Sequence, residues 1–217
     1  MPGLFITFEG TEGGGKSTQI IRLAERLNGL GLKVRSLREP GGTPLGEGMR
    51  HLLKHSADGD AMTPETELLL MNASRAQLVR EVIRPALAIG EIVLCDRFYD
   101  STVAYQGYGR RLDLTHVRGI IDFAVGTTRP DLTLLLRVPI AVSEARRLSR
   151  GVGQRDRFEE ADREFFERVE HGYDAIAASD SNRVRVIDAA RDIETVAADI
   201  WRHVQPRVEP KEPITRR

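Results

Sequence analysis

The string Gly10-Thr11-Glu12-Gly13-Gly14-Gly15-Lys16-Ser17 constrains this chain more than any other feature. It fits the pattern G-x-x-x-x-G-K-[S/T], and both of its flanks suit that pattern. Before it, Leu4 to Phe8 is a short apolar run that predicts a strand. After it, Ile20, Leu23, Ala24 and Leu27 recur at helical spacing and predict a helix over residues 16–27 with one buried face. A glycine turn between strand and helix lets successive N–H groups point inward around anionic oxygens, and the helix N-terminus adds positive potential. The chemistry that follows is nucleotide binding. Residues Gly10 to Thr18 wrap the phosphates of ATP, Lys16 reaches the β- and γ-phosphates, and the Ser17 hydroxyl coordinates Mg²⁺.

Apolar runs at residues 92–95 and 132–138, with the segments 33–37 and 184–187, predict four more strands. Helical patterns separate them over residues 45–53, 65–83, 115–125, 140–150, 162–178 and 193–204. Pro64 suits the first turn of the second of these, and Pro85 interrupts its end. Strands alternating with helices predict an α/β fold of three layers, the P-loop nucleoside triphosphatase architecture, with a five-stranded parallel sheet covered on both faces. A single domain is expected over residues 1–204, with residues 205–217, which hold three prolines, as a flexible tail. The acidic half of an ATP site is expected at a strand end, where Ile92-Val93-Leu94-Cys95 leads into Asp96, a second Mg²⁺ ligand. Cys95 reads as a small buried hydrophobe.

Composition narrows the function classes. The 217 residues carry 32 basic and 32 acidic side chains, and this zero net charge argues against broad nucleic-acid binding. No apolar run reaches membrane-spanning length, and one cysteine excludes both an internal disulfide framework and a multi-cysteine zinc site. The cytoplasm is the expected compartment. Only four of the basic residues are lysine, and one of them stands at position 16. The five histidines show no metal-ligand spacing.

Four segments, the glycine turn among them, narrow the class. They are FEGTEGGGKST (8–18), REPGGT (38–43), NASRAQL (72–78) and DRFYDSTVAYQG (96–107), with RGVGQRDRFE (150–159) as a weaker fifth. In this order and over about residues 4–204 the chain resembles the bacterial thymidylate kinase family, which moves the γ-phosphoryl group of ATP onto dTMP. The resemblance implies that Glu12 accepts the 3′-hydroxyl of dTMP and that Arg97 holds its phosphate. It also implies that Arg75 bonds the thymine ring and that Thr102 meets the polar edge of thymine, with Ser101 and Gln106 nearby. Tyr105 then fills the space a ribose 2′-hydroxyl would need. Arg38, Pro40 and Leu52 belong to the acceptor side, with Glu39–Pro40 as a cis peptide, and a homodimer is expected.

Two departures stand out. Met71 occupies the place where relatives commonly stack an aromatic on thymine, and methionine covers a ring face less rigidly. Gly13 stands where one subgroup has a catalytic arginine, so the cation is expected from a short lid at about residues 150–158, with Arg150 and Arg155 as candidates and Arg157 as a third. The expected catalytic set is therefore Glu12, Lys16, Asp96, Arg97, Arg150 and Arg155. Two alternatives share the phosphate loop: a kinase of another nucleoside monophosphate, and a nucleotide switch without catalysis. REPGGT and AYQG speak against the first, and the absence of an N-K-x-D string speaks against a GTP switch.

Overall fold

A computed structural model describes residues 3–55, 61–149 and 163–208. Its five strands are β1 (Leu4–Glu9), β2 (Val34–Arg38), β3 (Ile92–Asp96), β4 (Leu132–Arg137) and β5 (Val184–Asp188). All neighbours pair in parallel, in the order β2-β3-β1-β4-β5. The five strands, the parallel sheet and the helices around it match the α/β expectation. The order itself was not legible in the sequence. It reverses direction at β1, so a crevice opens at the carboxyl end of that strand, where open α/β sheets bind ligands.

The side chains of each strand alternate between two cores, as strand geometry requires. Phe5, Val93, Cys95 and Leu135 enter one core; Ile6, Phe8, Leu94, Leu134 and Leu136 enter the other. Cys95 is fully buried, as expected of a small hydrophobe. The second core is closed by α1 (Lys16–Gly29) and α9 (Ile193–Val208), through Leu23, Leu27, Ile200 and Val204. The first is closed by α3 (Pro64–Leu78), α6 (Leu114–Val125) and α8 (Arg163–Ser179). The remaining helices are α2 (Pro44–His55), α4 (Arg84–Ala88), α5 (Tyr99–Thr102) and α7 (Ile140–Ser149). Among the described residues no helix is long and apolar enough to cross a membrane.

Three boundaries differ from the sequence expectation, each for a physical reason. The helix expected over 65–83 is α3 followed by a π-helical turn, Val79–Ile83, that leads into α4 with Pro85 in its first turn. The wider turn accommodates a proline that cannot donate to the preceding ladder. Residues 99–109, to which the sequence assigns no element, form α5 and a second π-helical stretch, Val103–Gly109. Nearly every side chain there is buried, so no polar face marks the period. Finally, α9 runs past residue 204 through Pro206 to Val208, because Val208 seats in the second core. The part of the expected tail at 205–208 is therefore helical, and residues 209–217 lie outside the described residues.

Candidate active site

The glycine turn is built as the motif predicts. Gly10, Gly13 and Gly15 have φ of 124°, 78° and 82°, in the left-handed region that favours glycine. Lys16 folds back over the loop and donates to the carbonyls of Gly10 (3.0 Å) and Thr11 (2.9 Å). Burial, and then Arg97, push its ammonium down to about 8 against the pull of Glu12, Asp96 and Glu9. The Ser17 hydroxyl donates to Asp96 Oδ2 at 3.0 Å, so the two expected Mg²⁺ ligands meet across β1 and β3. A hydroxyl and a carboxylate are the hard oxygen donors that suit a magnesium ion, which otherwise keeps waters and takes substrate phosphates. The donor set fits.

Helix α7 clamps the outer side of this loop. The Ser143 hydroxyl donates to the Glu12 carbonyl at 2.6 Å, and Arg146 Nη1 donates to the carbonyls of Gly13 (3.3 Å) and Ala189 (2.9 Å). Beside the clamp a cavity is lined by Gly13, Gly14, Gly15, Thr18, Gln19, Arg146, Arg191 and Ile193. The sequence marked Gly13 to Thr18 but missed Arg146 and Arg191, which read as ordinary charges on a solvated face.

A second cavity abuts the loop from the other side. It is lined by Glu12, Arg38, Glu39, Pro40, Met71, Arg75, Asp96, Arg97, Ser101, Thr102, Tyr105 and Gln106, with Arg50 and Lys54. Nearly all the expected acceptor residues thus converge on one space. Leu52 does not: it is 48% exposed and absent from the lining. The phase of α2 explains the correction, since Arg50 and Lys54, four apart, face the cavity, Leu53 enters the core and Leu52 turns out. The Glu39–Pro40 peptide is cis. Arg38 donates to the Pro40 carbonyl (3.2 Å) and to Glu47 (2.9 Å).

Arg97 is the centre of this cavity. Its φ of 68° is unusual for a residue with a Cβ and carries strain of order 1–3 kcal/mol. Its Nη2 donates to Glu12 Oε1 (2.5 Å) and to the Tyr105 hydroxyl (3.3 Å). The Tyr105 hydroxyl in turn donates to Glu12 Oε2 at 2.7 Å. Burial alone would push the Glu12 carboxyl up, but Arg97, Lys16 and the Tyr105 hydroxyl together hold it down at about 2. Glu12 is therefore an acceptor-only carboxylate at neutral pH.

Arg75 reaches the wall of the acceptor cavity, where the resemblance implies it, and is braced there from behind. It is 2% exposed, and three of its five N–H groups have protein partners: Nε donates to Glu39 Oε2 (2.8 Å), Nη1 to Asn72 Oδ1 (2.8 Å) and Nη2 to the Phe98 carbonyl (3.2 Å). Burial raises Glu39 to about 6 against this ion pair, and Glu39 Oε1 has no hydrogen-bond partner. Gln106 is likewise held from behind, its Nε2 donating to buried Glu67 at 2.7 Å. Arg150, Arg155 and Arg157 lie outside the described residues.

The family model described as thymidylate kinase matches residues 8–200. A thymidylate kinase of Pseudomonas savastanoi pv. phaseolicola is 49% identical over 200 residues, covering 92% of this chain and 94% of the relative. One from Synechococcus sp. (strain JA-3-3Ab) is 50% identical over 206 residues, covering 94% and 97%. The crystal structure of thymidylate kinase from Ehrlichia chaffeensis aligns with a TM-score of 0.76 at 34% identity, over 94% of this chain and 99% of that one.

Proposed function

The chain belongs to the thymidylate kinase family, whose reaction is phosphoryl transfer from ATP to dTMP, and we propose that its two abutting cavities divide that reaction between donor and acceptor. ATP lies with its phosphates on the glycine turn and its base toward Arg146 and Ile193. dTMP lies in the cavity of Arg97 and Tyr105. One observation carries this reading: Arg97 stands between the phosphate loop and the acceptor wall, touching Glu12 of the first and Tyr105 of the second.

The residues then act as follows. Lys16 neutralises charge on the donor phosphates. Ser17 and Asp96 hold Mg²⁺, which supplies further positive charge to the phosphate oxygens when bound. Glu12 accepts the hydrogen bond of the sugar 3′-hydroxyl, and Tyr105 crowds the position of a 2′-hydroxyl. Arg97, a planar fork, takes the acceptor phosphate. Thr102, Met71 and Arg75 meet the base, with Arg75 braced from behind by buried Glu39. Arg150 and Arg155 bring cations to the transferring group, a role suited to the loose transition state in which charge spreads over the equatorial oxygens. Alignment of the two phosphates, with water excluded, supplies the rest.

The working form is a homodimer in the cytoplasm. Helices α2, α3 and α6 pack together and carry exposed Leu45, Leu69 and Phe123, the last 85% exposed, an apolar face that a second copy would cover. The reading is tested by supplying the purified protein with Mg²⁺, ATP and, in turn, dTMP, dUMP, UMP, CMP, AMP and GMP. Diphosphate formation fastest with dTMP is expected. Fastest turnover of another monophosphate would reassign the acceptor, and no diphosphate from any would leave only the switch reading. Equilibrium sedimentation at the mass of one chain would remove the dimer.

A further inference from the structure

Beneath Arg97 lies a carboxylate that the phosphoryl-transfer scheme does not use. Glu9 ends β1, is fully buried, and sits immediately before the glycine turn. Its Oε1 accepts from the Phe98 N–H at 2.8 Å. Its Oε2 accepts from the Ser101 hydroxyl at 2.5 Å and from the Tyr173 hydroxyl at 3.2 Å. Those two hydroxyl oxygens are 2.9 Å apart, and both receive Arg97 Nη1, at 3.1 Å and 3.3 Å.

The polarity of this arrangement follows from counting hydrogens. A guanidinium donates and never accepts. Ser101 and Tyr173 must therefore present lone pairs to Arg97, and each has one hydrogen to send elsewhere. Ionised Glu9 accepts only, so it takes the Ser101 hydrogen directly at 2.5 Å and the Tyr173 hydrogen either directly at 3.2 Å or by way of the Ser101 oxygen at 2.9 Å, and in both cases lone pairs are left facing Arg97. We infer that Glu9 is a positioning residue for acceptor binding: through the Ser101 and Tyr173 hydroxyls it pins one arm of Arg97 and thereby aims the other at the phosphate of dTMP. This rests on the assignment of Arg97 to that phosphate. Three elements far apart in sequence, β1, the segment after β3, and α8, thus converge on a single guanidinium.

The amide of Glu9→Gln has the same shape but the opposite polarity at one of its two heads. It either donates to the hydroxyls, turning their hydrogens toward Arg97, or faces the Phe98 N–H with its own NH₂. The first choice unseats the pinned arm directly; the second sets two donors against each other at Phe98, the residue next to Arg97, and disturbs the backbone that carries the arm. The experiment measures Kd for dTMP by calorimetric titration, with kcat and the KM for ATP alongside. Glu9→Gln is expected to weaken dTMP about tenfold, the scale of one hydrogen bond to a charged group, with the KM for ATP changed by less than about twofold. Because the acceptor phosphate is held in both ground and transition states, kcat should stay within about threefold.

A double-mutant cycle separates positioning from general damage. In an Arg97→Lys background, whose ammonium lacks the fork, Glu9→Gln should lose most of its effect on dTMP binding. Equal effects in both backgrounds would overturn the inference, as would unchanged dTMP affinity in Glu9→Gln itself. If Glu9→Gln does not fold, Tyr173→Phe removes one relay hydroxyl and keeps the carboxylate; it is expected to weaken dTMP severalfold, and unchanged affinity there overturns the inference as well. Wild-type turnover of dTMP is measured in the same series, so failure of the relay is distinguishable from failure of the kinase reading.

Discussion

Gly13 offers the sharpest quantitative test of how the phosphate loop and α7 fit together. Its φ is 78°, and a Cβ built on it would lie 2.9 Å from the Ser143 carbonyl oxygen and 3.2 Å from the Ser143 Cα. Both neighbours are backbone, so they cannot step aside as a side chain end would. Gly31 has the same φ of 78° and nothing within 4 Å of its would-be Cβ. Gly31→Ala therefore measures the left-handed backbone term alone, about 1–2 kcal/mol. Gly13→Ala carries that term plus the cost of overpacking, a further ~1–3 kcal/mol. With an unfolding entropy of about 2.1 cal/mol/K per residue, a chain this long loses about 2 °C of Tm per kcal/mol. Calorimetric melting should thus lower Tm by about 3 °C in Gly31→Ala and about 7 °C in Gly13→Ala. Equal shifts in the two variants would refute the close approach of α7. The same geometry bears on Arg at position 13: it would first have to displace α7 and break the Ser143–Glu12 and Arg146–Gly13 bonds, so Gly13→Arg should lose stability without gaining turnover.

Three other perturbations bear on the acceptor cavity and on the lid. Tyr105→Phe keeps the ring packed on Phe165 and Tyr173 but deletes the 2.7 Å bond to Glu12, so kcat/KM for dTMP should fall about tenfold in a coupled assay; an unchanged value would detach Tyr105 from the site. Arg155→Ala should reduce kcat on the order of 10³ with a much smaller change in the KM for dTMP, and unimpaired turnover would remove the lid assignment. Glu39→Gln addresses stability against pH. Burial raises this carboxyl from 4.5 to about 6, so the folded state binds the proton more tightly than the unfolded one. The resulting stabilisation is present below about pH 4.5 and is lost as pH rises through about 6, a change of about 2 kcal/mol that the amide lacks. Denaturant midpoints of the wild type and variant should diverge or converge across that window and run parallel outside it; parallel curves throughout would contradict the raised carboxyl.

What was legible in the sequence, and what was not, follows from the range of the interactions involved. The phosphate loop is local: its glycines, Lys16 and Ser17 are contiguous, and the flanking strand and helix each carry their own period. The buried strands are also local, since a parallel strand covered on both faces is apolar throughout. The segment 99–109 defeats that logic because it is buried all round, and it buries Asp100, Ser101, Thr102 and Gln106 as well as Val103, Ala104 and Tyr105. Three of the polar members are held by partners far along the chain: Asp100 by Arg183, Ser101 by Glu9 and Gln106 by Glu67. Arg75 shows the same limit from another side. The resemblance assigns it to the thymine ring, but its brace by Glu39, 36 positions earlier, exists only once β2 and α3 are assembled. Arg50 and Lys54 were hidden for the converse reason, because basic residues four apart on a helix read as solvated until the fold shows a cavity on that side. Charge type in the sequence thus identifies what a side chain can bind, whereas only the assembled sheet decides whether protein or substrate reaches it first. At Arg97 the outcome is split: the protein takes one arm through the Ser101 and Tyr173 hydroxyls, and the other arm lies against Glu12 at the cavity.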